Sequence, residues 1–155
     1  MYKDRVYSIA YYFFRRDPSA ASDVTQQVFL KLMTNIHQFR GGSEFSTWLY
    51  RLVVNTCMDS SRRRKLTVEL TDIIAQPALQ EDDFQRNKTA DSVHAAVAAL
   101  PEKFRIAVLL RYFDDLSYQQ MAEALDCSMG TVASRLSRGH RMLAERLKEF
   151  KGAGA

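Results

Sequence analysis

The stretch SYQQMAEALDCSMGTVASRLSR, residues 117–138, decides the reading of this chain. Ser117 with Gln120 three positions on has the form of a capping box, in which the hydroxyl takes an orphan amide and the Gln side chain reaches back. Met121, Ala122 and Leu125 then make a short apolar face, Asp126 and Cys127 leave room for a tight turn, and Ser128 can cap a second helix running to Leu143. At about 100° per residue, Met129, Val132, Leu136 and Leu143 of that helix fall on one side, which is the core side. Thr131, Ser134, Arg138 and Arg141 fall opposite, with Arg135 at the flank. Hydroxyls and guanidiniums can hydrogen-bond base edges and phosphates, so the pattern is a helix-turn-helix whose second helix fits a major groove. The plainer alternative is a helical hairpin with an ordinary solvated basic face.

Upstream of this motif the helical pattern persists. Residues 90–100 and 104–113 read as two helices broken at Pro101. Leu66 to Asn87 loses periodicity, carries Pro77 and the acidic run Glu81, Asp82 and Asp83, and reads as a linker. Before it, three more helices are expected: Tyr2 to Arg16, with Val6, Ile9, Ala10 and Phe13 as its apolar face and Asp17-Pro18 as its stop; Ser22 to His37, with Val24, Val28, Leu32 and Ile36 as its stripe; and one from Ser46 or Thr47 to Lys65. Nothing alternates with the period of a strand. The expected fold is all-α, two small helical domains joined by a linker, the C-terminal one containing the helix-turn-helix.

Charge is unevenly spread. The first 65 residues hold eleven Lys and Arg against five Asp and Glu, 66–89 hold two against five, and 128–151 hold six against two. Two basic surfaces thus flank an acidic middle, which suits a polyanionic partner. On the third helix Leu49, Val53 and Cys57 mark the core side, while Trp48, Arg51, Asn55 and Arg62 line up on another face. Trp can stack on an unpaired base, Asn can read a base edge, and Arg62, Arg63, Arg64 and Lys65 can follow phosphates. A Trp48 buried in the core is the open alternative. On the second helix Asp23, Gln26 and Gln27 gather around Leu30, either as a docking flank or as a solvated face with one exposed Leu.

Several classes are excluded. A chain of 155 residues is too short for a large enzyme with an enclosed cofactor cavity. His37, His94 and His140 are scattered, no carboxylate pair or Gly-rich phosphate loop stands out, and Cys57 and Cys127 have no metal-ligand spacing, so no catalytic, cofactor or metal site is expected. Both cysteines are expected as small buried residues in a reducing compartment. With no apolar run near the roughly 20 residues needed to span a bilayer and no signal peptide, the expected location is cytoplasmic without membrane insertion.

The two halves together resemble an extracytoplasmic-function (ECF) sigma factor, of the sigma-70 family of bacterial RNA polymerase sigma factors. SDVTQQVFLK at 22–31 looks like the family's segment for docking the β′ coiled coil of core RNA polymerase. FSTWLYRLVVN at 45–55 followed by RRRK at 62–65 looks like its segment for melting and reading the −10 element. LPEKFR at 100–105, LSYQQMAE at 116–123 and GTVASRLSR at 130–138 look like its region four, which binds the −35 element. The resemblance implies region 2 over 1–65, an acidic linker over 66–89 threading towards the catalytic centre and RNA exit path of the polymerase, and region 4 over 90–151. It implies a non-catalytic specificity subunit that binds core polymerase at the β′ coiled coil and β flap, promoter DNA both duplex and melted, and an anti-sigma protein. By the same resemblance Asp23, Gln26, Gln27 and Leu30 contact polymerase, Phe45, Trp48, Arg51, Asn55, Arg62 and Arg63 the −10 element, and Thr131, Ser134, Arg135, Arg138 and Arg141 the −35 element. A stand-alone repressor or activator would leave Trp48 to Lys65 without a use, and a small nuclease would lack clustered acids and a nucleophile.

The chain departs from the family pattern in four places. Ala133 stands where a basic residue is common, Asp126 replaces a common turn Gly, and the family's opening helix usually has a further stretch before Tyr2, so a short or trimmed start is expected. Gly139 stands where Ala is usual, which is expected to cost about 1 kcal/mol of local helix stability.

Overall fold

A computed structural model describes residues 2–39, 41, 44–71 and 88–153, and these are helical throughout apart from short turns. The elements are α1 (Tyr2–Phe13), α2 (Pro18–Asn35), a 3₁₀ turn over Ile36–Gln38, α3 (Phe45–Thr71), α4 (Lys88–Ala99), α5 (Glu102–Asp114), α6 (Tyr118–Leu125) and α7 (Met129–Ala153). The all-α expectation holds for the described residues.

The helix ends differ from those expected, each for a local reason. Val6, Ile9, Ala10 and Phe13 are buried as their spacing requires, but α1 stops at Phe13 rather than Arg16. Arg15 and Arg16 both turn into the left-handed region, with φ of 58° and 65°, and the Arg16 N–H donates back to Tyr11 O at 2.7 Å. Asp17 and Pro18 then do more than stop α1. The Asp17 carboxylate accepts from the Ser19 and Ala20 amides at 3.0 and 3.2 Å, and Pro18, at the first position, has no N–H to leave orphaned. Hence α2 begins four residues ahead of Ser22. At its other end Ile36 falls in the 3₁₀ turn and is 51% exposed, so only Val24, Val28 and the half-buried Leu32 of the expected stripe face inward.

Helix α3 begins at Phe45, one or two residues early, because Trp48 N already donates to Glu44 O at 3.2 Å. It continues to Thr71, six residues into the stretch expected as linker. The rest of that linker, 72–87 with Pro77 and the acidic run, lies outside the described residues. Leu49, Val53 and Cys57 are fully buried, joined by Tyr50 and Val54. Burial pushes the Cys57 thiol up to about 12, so it stays protonated and acts as a small apolar residue. Cys127 lies in the expected turn after α6 but is half-buried rather than buried.

The helices form two groups. Helix α1 packs on α2 and α3, and α7 packs on α4, α5 and α6. The groups also meet each other, α1 against α5 and α3 against α6, within one continuous apolar cluster. Arg105 of α5 is buried at this seam and donates to Phe13 O of α1 at 2.6 Å and to Leu100 O at 2.7 Å. Two groups joined by a linker were legible in the sequence; their mutual contact was not. No helix among the described residues is long and apolar enough to cross a membrane, and no cluster of His, Cys, Asp or Glu among them could hold a metal ion.

Candidate nucleic-acid and polymerase-docking surfaces

The helix-turn-helix is built by its caps. Gln120 N donates to Ser117 Oγ at 3.1 Å and Ser117 N donates to Gln120 Oε1 at 2.8 Å, closing the capping box at the start of α6. Asp126 ends α6 in the left-handed region at φ 54°, a conformation Asp enters more easily than most residues. Its N–H and that of Cys127 return to the last carbonyls of α6. Ser128 Oγ accepts from Thr131 N at 3.1 Å and starts α7.

The rotation of α7 follows from Val132, Leu136 and Gly139, all buried. Ser134, Arg138 and Arg141 are exposed on the opposite side, while Thr131 and Arg135 are half-buried at its edge. The Thr131 hydroxyl also lies 3.0 Å from Ser128 Oγ, so part of its hydrogen-bonding capacity serves the cap. Met129, expected on the core side, is 52% exposed, because the first residue of a helix precedes the turn that would bury it. Ser137 and Gly130 share the outward face and were missed by reading only the larger polar groups. Gly139 is no simple defect: a Cβ there would lie 3.0 Å from Val108 Cγ2 of α5 and 3.8 Å from Phe104 Cβ. Its missing side chain lets α7 lie close on α5.

On α3 the buried residues span the side from Thr47, Tyr50 and Val54 round to Thr56 and Ser60. Trp48, Arg51, Asn55 and Arg62 lie on the remaining face, and Phe45 and Arg63 lie beside them. Trp48 is neither buried in the core nor fully exposed. The ring is half-buried in an aromatic cluster with Phe39 at 5.6 Å and Phe45 at 6.1 Å, and Tyr2 meets Phe45 edge-on at 5.9 Å. It opens into a cleft of about 610 Å³ walled on one side by Phe39, Trp48 and Arg51 and on the other by Ala122, Asp126 and Cys127. Asn55 and Arg63 are exposed, and Arg62 reaches Asp59 at 3.4 Å. Arg64 and Lys65 point elsewhere: Arg64 lies over the Phe14 ring at 5.1 Å, and Lys65 pairs with Glu102 at 3.1 Å.

On α2, Asp23, Gln26 and Leu30 are exposed and Gln27 half-buried along one flank, with Gln27 Nε2 donating to Asp23 Oδ2 at 3.1 Å. Leu30 is 64% exposed, and Met33, three residues on, is 75% exposed. A lone exposed Leu needs no explanation, but Leu30 and Met33 together make a small exposed apolar patch beside a carboxylate and two amides. Met33 lies off the expected stripe and was missed because Leu30 alone was placed on the outer flank.

Residues 1–67 match the family model for sigma-70 region 2, and residues 90–143 match that for sigma-70 region 4. The chain is 30% identical to the ECF RNA polymerase sigma factor SigW of Bacillus subtilis, over 97% of this chain and 87% of that protein. It is 34% identical to the ECF RNA polymerase sigma-E factor of Escherichia coli K12, over 81% of this chain and 73% of that one. Among solved structures, the sigma factor RpoE in complex with the anti-sigma factor NepR from Bartonella quintana superposes with a TM-score of 0.78 at 24% identity, covering 94% of this chain and 91% of that one. CnrH in complex with the cytosolic domain of CnrY gives 0.68 at 20% identity, covering 94% and 82%. In both, the likeness is one of fold. On the two region models and the near full-length likeness to SigW, the chain belongs to the ECF family of sigma-70-type RNA polymerase sigma factors.

Proposed function

We infer that this chain serves as the specificity subunit of RNA polymerase through three separate surfaces, and that it works in the cytoplasm, where the DNA is. Helix α7 reads the −35 duplex with Thr131, Ser134, Arg135, Arg138 and Arg141. Helix α3 engages the −10 element through Phe45, Trp48, Arg51, Asn55, Arg62 and Arg63, and α2 docks core polymerase through Asp23, Gln26, Gln27 and Leu30, extended by Met33. The observation that carries the reading is the outward face of α7, where Ser134, Arg138 and Arg141 are exposed on a helix held by its cap and its turn. Polymerase supplies the chemistry; the chain positions it. Region 2 extends to Thr71 and region 4 begins at Lys88 in this division. An anti-sigma protein is the expected antagonist, as NepR is bound to RpoE.

The three surfaces are separable by substitution. Asp23→Ala should weaken association with core polymerase and leave duplex binding alone. Arg138→Ala should weaken −35 duplex binding by about 1–3 kcal/mol if it reads a base, or reduce the salt slope by about one if it contacts only phosphate. Asn55→Ala should slow strand opening in the assembled holoenzyme. If all three variants lost the same activity in the same proportion, the division of labour would be wrong.

A further inference from the structure

Arg64 and Lys65, the two bases of the 62–65 run that turn away from the −10 face, help to line a second cavity, of about 470 Å³. Three elements meet around it. The end of α1 brings Phe13, Phe14 and Arg15, α3 brings Ser61 with the two bases, and the first turn of α5 brings Glu102 and Arg105. Asp17 completes the rim. The Arg15 backbone is held in the left-handed region, which is disfavoured for a long side chain. Its Nε donates to Ala98 O at 3.3 Å, so the guanidinium is tethered beside the cavity.

Positive charge is in excess here. Four bases face two acids, and both acids are already engaged. Glu102 accepts from Lys65 Nζ at 3.1 Å and from the Ser61 hydroxyl. Asp17 accepts from the Ser19 and Ala20 amides and lies 3.8 Å from Arg64, too far for a hydrogen bond. Among the described residues no carboxylate pairs with Arg15 or Arg105. Arg105 is 5% exposed and spends its two terminal nitrogens on Phe13 O and Leu100 O, while its Nε–H has no partner. Carbonyl oxygens accept its hydrogens but bring no net charge, and a buried cation without a counter-charge is costly. Burial and the Arg15 charge both hold Arg105 below the ordinary arginine range, with Glu102 opposing them. A guanidinium does not give up its proton in a protein, so relief has to come from an anion.

We propose that this cavity binds a small phosphorylated anion, its phosphoryl oxygens taken by Arg15 and Arg64 at the mouth and its charge set against Arg105 beneath. Guanidiniums match phosphate oxygens two at a time. An excess of two positive charges suits a diphosphate better than a singly charged ion, and the volume is that of a small-molecule site. The shared chemistry is the diphosphate group, free as pyrophosphate or carried by a nucleotide. A bound anion joins α1 and α3 to α5. The site stands apart from the three surfaces of the proposed function and does not depend on them.

The test uses the intact chain, titrated calorimetrically with pyrophosphate, ADP, GDP and succinate at one ionic strength in a phosphate-free buffer. Arg15→Gln with Arg64→Gln removes two charges at the mouth, both from exposed residues. Lys3→Gln with Lys148→Gln removes two from exposed residues outside the cavity. Should the first pair lose its helical circular dichroism, Arg64→Gln alone carries the test against Lys148→Gln.

Pyrophosphate is expected to bind one to one and to raise the thermal midpoint. The arginine variant should bind it about tenfold more weakly, and the lysine variant as the parent chain does. ADP or GDP binding more tightly than pyrophosphate would make the natural source a nucleotide; equal or weaker binding would make it the free diphosphate. Absence of saturable pyrophosphate binding would overturn the site, as would equal weakening in both double variants, the sign of general attraction to a basic protein. Succinate binding as tightly as pyrophosphate would overturn the phosphoryl specificity.

Discussion

Replacing Gly139 by Ala sets two effects against each other at the contact that seats the proposed −35 helix. Ala is favoured over Gly in a helix interior by about 1 kcal/mol, and a reading of α7 as an isolated helix expects that gain. The structure argues otherwise, because the new Cβ would sit 3.0 Å from Val108 Cγ2, with the Phe104 carbonyl oxygen at 3.9 Å. Val108 is 4% exposed, and a Val in a helix keeps one strongly preferred χ1, so it cannot swing aside. Helix α7 must therefore shift by a few tenths of an ångström, and overpacking of this kind costs roughly 1–3 kcal/mol. The expected net effect is a loss of about 1 kcal/mol. With Val108→Ala already in place the clash is gone, and Gly139→Ala should then stabilise by about 1 kcal/mol. Urea denaturation followed by circular dichroism on the four chains closes the cycle, with an expected coupling near 2 kcal/mol. Additivity of the two substitutions would refute the argument, as would a gain from Gly139→Ala alone.

Two further outcomes follow from the caps and the buried seam. Ser117→Ala removes the oxygen that accepts Gln120 N and should lower stability by about 1 kcal/mol, seen as a reduced urea midpoint; an unchanged midpoint would mean the capping box contributes nothing in the folded chain. Asp114 is held above the usual carboxylate range by burial, an effect opposed by the nearby Tyr50 hydroxyl and by the Arg5 charge. A raised acid contributes stability that is fully present below its unfolded value near 3.9 and is lost as pH rises through the higher folded value. Asp114→Asn should therefore be more stable than the parent chain at pH 7, with the difference shrinking on acidification. A difference that grew towards low pH would reverse the sign of this assignment.

What could be read from the sequence was local. The capping box at Ser117 and Gln120, the cap at Ser128 and the phase of Val132 and Leu136 depend on neighbours three or four residues away, and all appear as expected. Asp17-Pro18 was read only as a stop because it ends one apolar pattern, although the same carboxylate and ring begin the next helix. Ile36 and Met129 were placed inward by angle alone, which fails at the last and first turns of a helix, where no further turn covers them. The contact between the two regions could not be read. It depends on Arg105 meeting a carbonyl 92 positions earlier and on α6 lying against α3, and no periodicity encodes which amphipathic faces meet. Gly139 shows the same limit: its helix propensity is local, but its reason is Val108.

The central claim, that this chain directs RNA polymerase to promoters, is tested most directly by transcription from fragmented DNA of the genome that encodes it. Core polymerase with and without the chain is supplied with nucleotides, and transcript 5′ ends are mapped. Starts found only with the chain, preceded by two common sequence blocks at a fixed spacing, are expected; the same starts with and without the chain would contradict it.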